Sequence, residues 1–278
     1  MQKIYIIGGD RRQQYMQEQL KAQGFVTYSF GLLQSDTKEQ LFKALSQEYA
    51  PCILLPLPLS RDGSTVYAPL AAEPLSLREL LENLPPSARL FGFGLPTEFC
   101  QAAQKRGAKT MELFSTSVVE QNAKLTAKAA VSLLERRCKC PLSNAHVGIT
   151  GFGHVAKALA EELLPKAAHL TVFARSERAR QDAQKHGVTA LPFSALPEVA
   201  GQMDSLCNTV PAPVVTTATL QNLSEEALVL ELASKPYGVD FAAAKQLRRM
   251  VVLASGLPGK HFPCEAAAIL TNACLEAL

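Results

Sequence analysis

Short apolar runs, each followed by a stretch with helical spacing, recur along this chain of 278 residues, and that rhythm constrains its fold more than any other feature. In the first half the runs fall at residues 3–7, 25–28, 52–55, 89–93 and 110–113. They are apolar at successive positions, so both faces of the sheet must be covered, as in a parallel sheet flanked by helices. Helical spacing fills residues 11–22, 38–47, 75–83 and 97–106. Thr97 and Glu98, after Pro96, read as the cap and acidic first turn of the last of these, and Gly107 as its end. The repeat predicts a doubly wound α/β sheet.

Past residue 116 the strand signal stops. Val118, Leu125, Ala129, Leu133 and Leu134 fall near one helical face, and Pro141, Ser143 and Asn144 break the pattern. A second βα series follows, with strands expected at 146–150, 170–174, 188–191, 205–207, 228–232 and 250–254, a number that suits a Rossmann domain. The sequence thus predicts two doubly wound parallel-sheet domains, the second a Rossmann dinucleotide-binding domain, joined by a long helix. The first, flavodoxin-like and read as the substrate or partner domain, spans 1–116. The connecting helix spans 117–140 and the Rossmann domain 141–263. The apolar helical stretch 264–278 is expected to pack back on the connecting helix or complete the first domain.

A net charge of +3, spread along the chain, gives no reason to expect nucleic acid as a partner. The seven cysteines are odd in number and lack CxxC spacing, and Cys138 and Cys140 have no histidine nearby, so reduced thiols in a cytoplasmic protein are expected and no metal. The apolar part of KIYIIGGD is too short for a secretory signal and is followed by Asp10, Arg11 and Arg12. No apolar run approaches the roughly 18 residues of a membrane helix.

The chemistry concentrates in TGFGHVA, residues 150–156, after a strand and opening a helix. Gly151 permits the tight turn and Gly153 leaves room for a pyrophosphate. Ala156 allows close helix packing, and Phe152, His154 and Val155 supply the surrounding backbone. A compact strand-to-helix corner is the bland alternative. The next strand ends in Arg175 and Ser176 rather than an acidic residue, which favours NADP over NAD; a solvated helix start is the competing reading. Three further loops belong at the same sheet edge: NTVPA with Asn208, Thr209, Val210 and Pro211; ASKPYG with Ala233 and Lys235; and SGLPG with Gly256, followed by Lys260. Asn208 and Thr209 are expected to position the nicotinamide. Lys235 is expected to meet an anionic substrate and serve in proton transfer, against an ordinary exposed lysine. In the first domain Arg12, Gln13, Ser60, Ser64 and Thr65 are candidates for carboxylate binding across an interdomain cleft.

IIGGDRRQ, LPLSRDGST, the glycine turn, ARS, NTVP, LELASKPYGVDF and SGLPGK, in this order, resemble the A subunit family of dipicolinate synthases over essentially the whole chain. The resemblance implies an architecture like the two-domain 2-hydroxyacid dehydrogenases. It implies NADP-dependent formation of dipicolinate from 4-hydroxytetrahydrodipicolinate, a small dianion, during sporulation, in complex with a flavoprotein-like B subunit. Homo-oligomerisation stays open. The family's N-S-x-P-T-x-E-G motif is altered here: Asn122 and Thr126 remain, but Leu125 stands at the proline and Lys128 at the glutamate. Cys264 and Glu265 replace a lysine and a threonine. These departures keep two alternatives in view: a noncatalytic cofactor-binding scaffold or regulatory subunit, and an oxidoreductase acting on another small hydroxy or keto acid.

Overall fold

The computed structural model describes residues 2–278, and the chain divides into two compact units, Met1–Val119 with Phe262–Leu278, and Glu120–His261. In the first unit the elements alternate as β1 (Lys3–Ile7), α1 (Arg11–Ala22), β2 (Val26–Phe30), α2 (Lys38–Ser46), β3 (Cys52–Leu54), α3 (Leu77–Glu82), β4 (Arg89–Gly92), α4 (Thr97–Lys105) and β5 (Lys109–Glu112). All strand pairs are parallel, in the order β2-β1-β3-β4-β5. That is the flavodoxin-like order.

Period-two alternation in β1 explains why both of its faces are apolar. Tyr5 and Ile7 join a core with Ile53, Leu90, and Leu41 and Leu45 of α2. Ile4 and Ile6 face the opposite core with Leu54, Phe91, and Met16 and Leu20 of α1. The chain's last helix supplies Ala267, Leu270 and Cys274 to this second core.

A 22-residue helix, α5 (Thr116–Arg137), leads into the second unit. There follow β6 (His146–Thr150), α6 (His154–Leu163), β7 (His169–Phe173), α7 (Glu177–Lys185), β8 (Thr189–Leu191), α8 (Leu196–Val199), β9 (Ser205–Asn208), α9 (Thr217–Asn222), β10 (Leu228–Glu231), α10 (Phe241–Gln246), β11 (Met250–Leu253) and α11 (Leu257–His261). The last helix, α12 (Pro263–Ala277), belongs to the first unit. The six parallel strands run β11-β10-β9-β6-β7-β8, the Rossmann order read from one end. Phe173, Leu206 and Val229 lie in one core of this sheet with Leu196, Leu220 and Ala243 from its helices.

Three local expectations are corrected. The cap of α4 is Pro96, which makes no side-chain cap, and Thr97 is already the first helical residue. The helix expected from residue 75 begins at Leu77, because Ser76 and Glu79 form a capping box and the Leu75 carbonyl accepts from Val66 N. The SGLPG loop winds into α11, with Pro258 tolerated in its first turn, where its missing N–H has no intrahelical partner to lose. All seven cysteines are free, and no described helix is long and apolar enough to cross a membrane.

Candidate cofactor site

The glycine turn after β6 contains two glycines with different reasons to be there. Gly151 has φ +85°, and a Cβ on it would lie 2.8 Å from Val210 Cγ2 and 2.9 Å from Thr209 Oγ1, so the fold itself demands glycine. Gly153 has φ −87°, which any residue adopts, and a Cβ there would meet nothing within 4 Å. Neither strain nor packing explains Gly153, and an open backbone of this kind is what a close-approaching pyrophosphate requires. Gly153 is also the N-cap of α6, which has no side-chain cap and no acidic residue in its first turn. The first N–H groups of α6, including those of His154 and Val155, therefore face outward with the positive end of the helix dipole behind them.

Around this opening the side chains are directed elsewhere. Phe152 is buried, edge-on to His186 with ring centroids 5.6 Å apart, and Lys157 Nζ lies 5.5 Å from its ring centre. It can offer a phosphate only its backbone. Lys157 is in turn paired with Asp182 at 2.5 Å, which holds that carboxyl below its usual range. Ala156, in the first turn of α6, is fully buried. The fold fits a dinucleotide pyrophosphate at the turn.

At the end of β7, Ser176 caps α7 by accepting from Ala179 N at 3.2 Å, so its oxygen is engaged in holding the helix. Arg180 donates to the carbonyls of Ala174 and Arg175, each at 3.0 Å, and pairs with Glu177. Arg175 and Arg178 are exposed. Those two arginines are the positive charge available to a ligand beside this strand end.

The loops after β9 and β10 are fastened by a buried row. Thr150, Asn208 and Glu231 are register partners at the ends of three adjacent strands. Thr150 Oγ1 donates to Asn208 Oδ1 at 2.5 Å, and Asn208 Nδ2 donates to Glu231 Oε1 at 2.6 Å. Asn208 Oδ1 also accepts from Val210 N and Nδ2 donates to Val210 O. Asn208, expected at the nicotinamide or in catalysis, is instead wholly buried with both ends of its amide engaged. Thr209 is likewise anchored, its hydroxyl 2.6 Å from the Thr150 carbonyl. Pro211 is exposed, Ala233 is buried and donates its N–H to Glu231, and Lys235 is exposed on the loop that follows. Gly256 has φ +69° with open space at its Cβ position, and Lys260 Nζ donates to the Ser255 carbonyl at 3.0 Å.

In the first unit most of the expected carboxylate-binding side chains are engaged by their own chain. Arg12 is buried, donates to both carboxylate oxygens of Asp10 at 2.9 Å and also reaches the Leu57 carbonyl. Gln13 is buried and caps Asp10 N through Oε1; its Nε2 has no partner among the described residues. The hydroxyls of Ser60 and Thr65 donate to Asp62, as do the backbone N–H groups of Ser64 and Thr65, and these bonds, Thr65's hydroxyl foremost, hold the Asp62 carboxyl well below its usual range. Arg12, Ser60 and Thr65 are therefore corrected from ligand contacts to loop-building residues.

Two families match the two parts of the chain. The N-terminal domain of the dipicolinate synthase A subunit matches residues 3–114, and the NAD binding domain of D-isomer specific 2-hydroxyacid dehydrogenases matches residues 111–233. The A subunit of dipicolinate synthase from Bacillus subtilis is 25% identical over 97% of this chain and 93% of its own. Over nearly its whole length the chain is similar to that subunit. Crystal structures of that protein from Bacillus halodurans and Bacillus subtilis share the fold, with TM-scores of 0.85 and 0.82 at 24% identity, each covering 99% of this chain and, respectively, 97% and 96% of the other. The second unit, most of which lies within the NAD-binding-domain match, is a Rossmann domain of the kind that binds a nicotinamide dinucleotide.

Two features of that domain escaped the sequence reading. Glu231 is the buried acceptor of the row, and its signal was present: one acidic residue closing an otherwise apolar strand, LVLE. Gly238 is the other. A Cβ there would lie 2.5 Å from Asn208 Nδ2 and from the Val210 carbonyl, a close approach no single-sequence pattern reveals.

Proposed function

We propose that this chain is the NADP-binding oxidoreductase subunit of a dipicolinate synthase-type enzyme, forming dipicolinate from 4-hydroxytetrahydrodipicolinate together with a flavoprotein-like B subunit in the cytoplasm. The observation that carries the reading is the open, uncapped turn at Gly153 beside Arg175 and Arg178. Arginine at this position attracts a 2′-phosphate, and Glu177, two residues past Arg175, is turned to Arg180.

On the way to dipicolinate the ring loses one hydride, one proton and one water, and NADP⁺ when bound is the hydride acceptor. The chain's own part is to hold that cofactor at the N–H groups of His154 and Val155 and to present cationic side chains to two carboxylates. Lys235, exposed at the same sheet edge, is the proposed proton acceptor, and Lys260 a second cation for the dianion. With Arg12 closed on Asp10, the substrate charge falls to these lysines.

Thermal melting tests the reading. NADPH at millimolar concentration raises the melting temperature by several degrees and NADH raises it less. No shift with either removes the proposal. Lys128, exposed on α5 where the resembled family carries glutamate, favours the second reading, a cofactor-binding subunit without turnover. Co-expression with a B-type partner, followed by an assay for dipicolinate absorbance, separates them, since binding without product supports the scaffold.

A further inference from the structure

Glu231 is a carboxylate with no solvent exposure. Its Oε1 accepts from Asn208 Nδ2 at 2.6 Å and Ala233 N at 3.0 Å, and its Oε2 from Gly238 N at 2.8 Å and Val239 N at 2.9 Å. Three of these donors are backbone groups flanking a single excursion, residues 234–237, which carries Lys235. Tyr237 within it adopts φ +68°, a left-handed conformation that a non-glycine residue keeps only when its surroundings enforce it. Tyr237 N donates to Ser234 O at 3.0 Å, and the Gly238 carbonyl accepts from Val214 N and Val215 N. On its other side, Glu231 is linked through Asn208 to Thr150, the residue before Gly151, and to Val210, whose side chain lies against Gly151. A continuous buried path therefore runs from the glycine turn to the Lys235 loop.

We infer that Glu231 is a positioning residue: its carboxylate fixes the loop bearing Lys235 and, through Asn208 and Thr150, couples the placement of that lysine to occupation of the glycine turn. The inference rests on the proposed cofactor reading and adds to it a route by which the two ends of the site communicate. A carboxylate suits this place because it only accepts, with both oxygens facing N–H donors. Glutamine of the same shape points an NH₂ at two of them and strands them without an acceptor.

Hydrogen exchange on the whole chain, with and without NADPH, tests it. In the wild type, NADPH slows exchange of the amides of Ala233, Gly238 and Val239 by roughly tenfold. In Glu231→Gln, NADPH still binds, as its fluorescence enhancement reports, but the added protection of these amides is lost. Thr150→Val, an isosteric change at the far end of the path, leaves Glu231's own donors in place and also removes most of the NADPH-induced protection; it serves if Glu231→Gln does not fold. A merely structural role predicts faster exchange in both states with the NADPH-induced difference intact. If NADPH binds the wild type without protecting the loop, or protects it equally in the folded variants, the inference fails. If NADPH does not bind the wild type at all, the cofactor reading fails first.

Discussion

The first strand of each unit runs through a glycine turn into a helix, Gly8, Gly9 and α1 in the first and Gly151, Gly153 and α6 in the second, and the two turns are closed differently. In the first unit Asp10 caps the helix, Gln13 closes the capping box and Arg12 locks the Asp10 carboxylate. Any Cβ on Gly9 would overlap the Gln13 side chain. In the second unit the cap is a bare glycine and the space above it is clear. A helix N-terminus needs negative charge or acceptors. The first unit supplies them from its own sequence, and the second leaves them to come from outside.

The largest effect comes from closing the open turn. Gly153→Asp gives α6 the carboxylate cap that α1 already has. The fold gains a few tenths of a kcal/mol, since aspartate and glycine differ little as caps. NADPH affinity falls by about 3 kcal/mol, roughly 100-fold, from repulsion of the pyrophosphate at short range. Calorimetric titration reads the loss and thermal melting the retained fold; unchanged affinity would mean the phosphates sit elsewhere.

Opening the closed turn is the reverse experiment. Asp10→Ala uncaps α1 and leaves the buried Arg12 guanidinium with only a carbonyl partner, costing about 2–3 kcal/mol in chemical denaturation. NADPH affinity stays within about twofold, because no phosphate site is created in a turn still filled by Gln13. A smaller change is expected at the strand end. Arg175→Glu lowers the NADPH-over-NADH preference by about tenfold, mostly through weaker NADPH binding, as parallel titrations would show. Equal loss for both cofactors would place Arg175 away from the 2′-phosphate.

The smallest effect separates the units by pH. Burial, then neighbouring His169, push the His146 imidazole below its ordinary value of 6.5, with Asp204 opposing. The unfolded chain therefore takes the proton first as pH falls, so stability of the second unit declines below pH 6.5 and levels off beneath the folded value. In the first unit the carboxyls of Glu48, Asp62 and Glu79 are held below their usual range by their hydrogen-bond partners, and they stabilise the fold at all pH values above that range. Their contribution is lost progressively as pH drops from the usual values toward the lowered ones. Denaturation followed by hydrogen exchange between pH 5 and 7 should show a slope in the second unit alone, flattened by His146→Gln.

The sheets were legible because their strands are buried on both faces and read as continuous apolar runs, such as KIYII and HVGIT. Local capping was less so. Thr97 has the chemistry of a cap, yet the cap position is held by Pro96, whose side chain makes no capping bond, and Thr97 is already inside the helix. Side-chain roles at the site were the least legible, for a physical reason. Asn208 and Arg12 are polar residues at strand ends and helix starts, where ligand contacts and loop-building contacts need the same chemistry. The deciding partner of Asn208 is Glu231, which lies beside it only through the pairing of β9 and β10. Gly153 differs from both: a Cβ there would meet nothing within 4 Å, so the glycine spacing, not a packing need, is what carries the proposal.

A crystal structure of the chain with NADPH tests the central claim most directly. The pyrophosphate is expected within hydrogen-bond distance of the His154 and Val155 N–H groups, with the 2′-phosphate at Arg175 and the Gly8–Gly9 turn unchanged. A cofactor bound away from the Gly151–Gly153 turn, or crystals that take up none at saturating concentration, would contradict it.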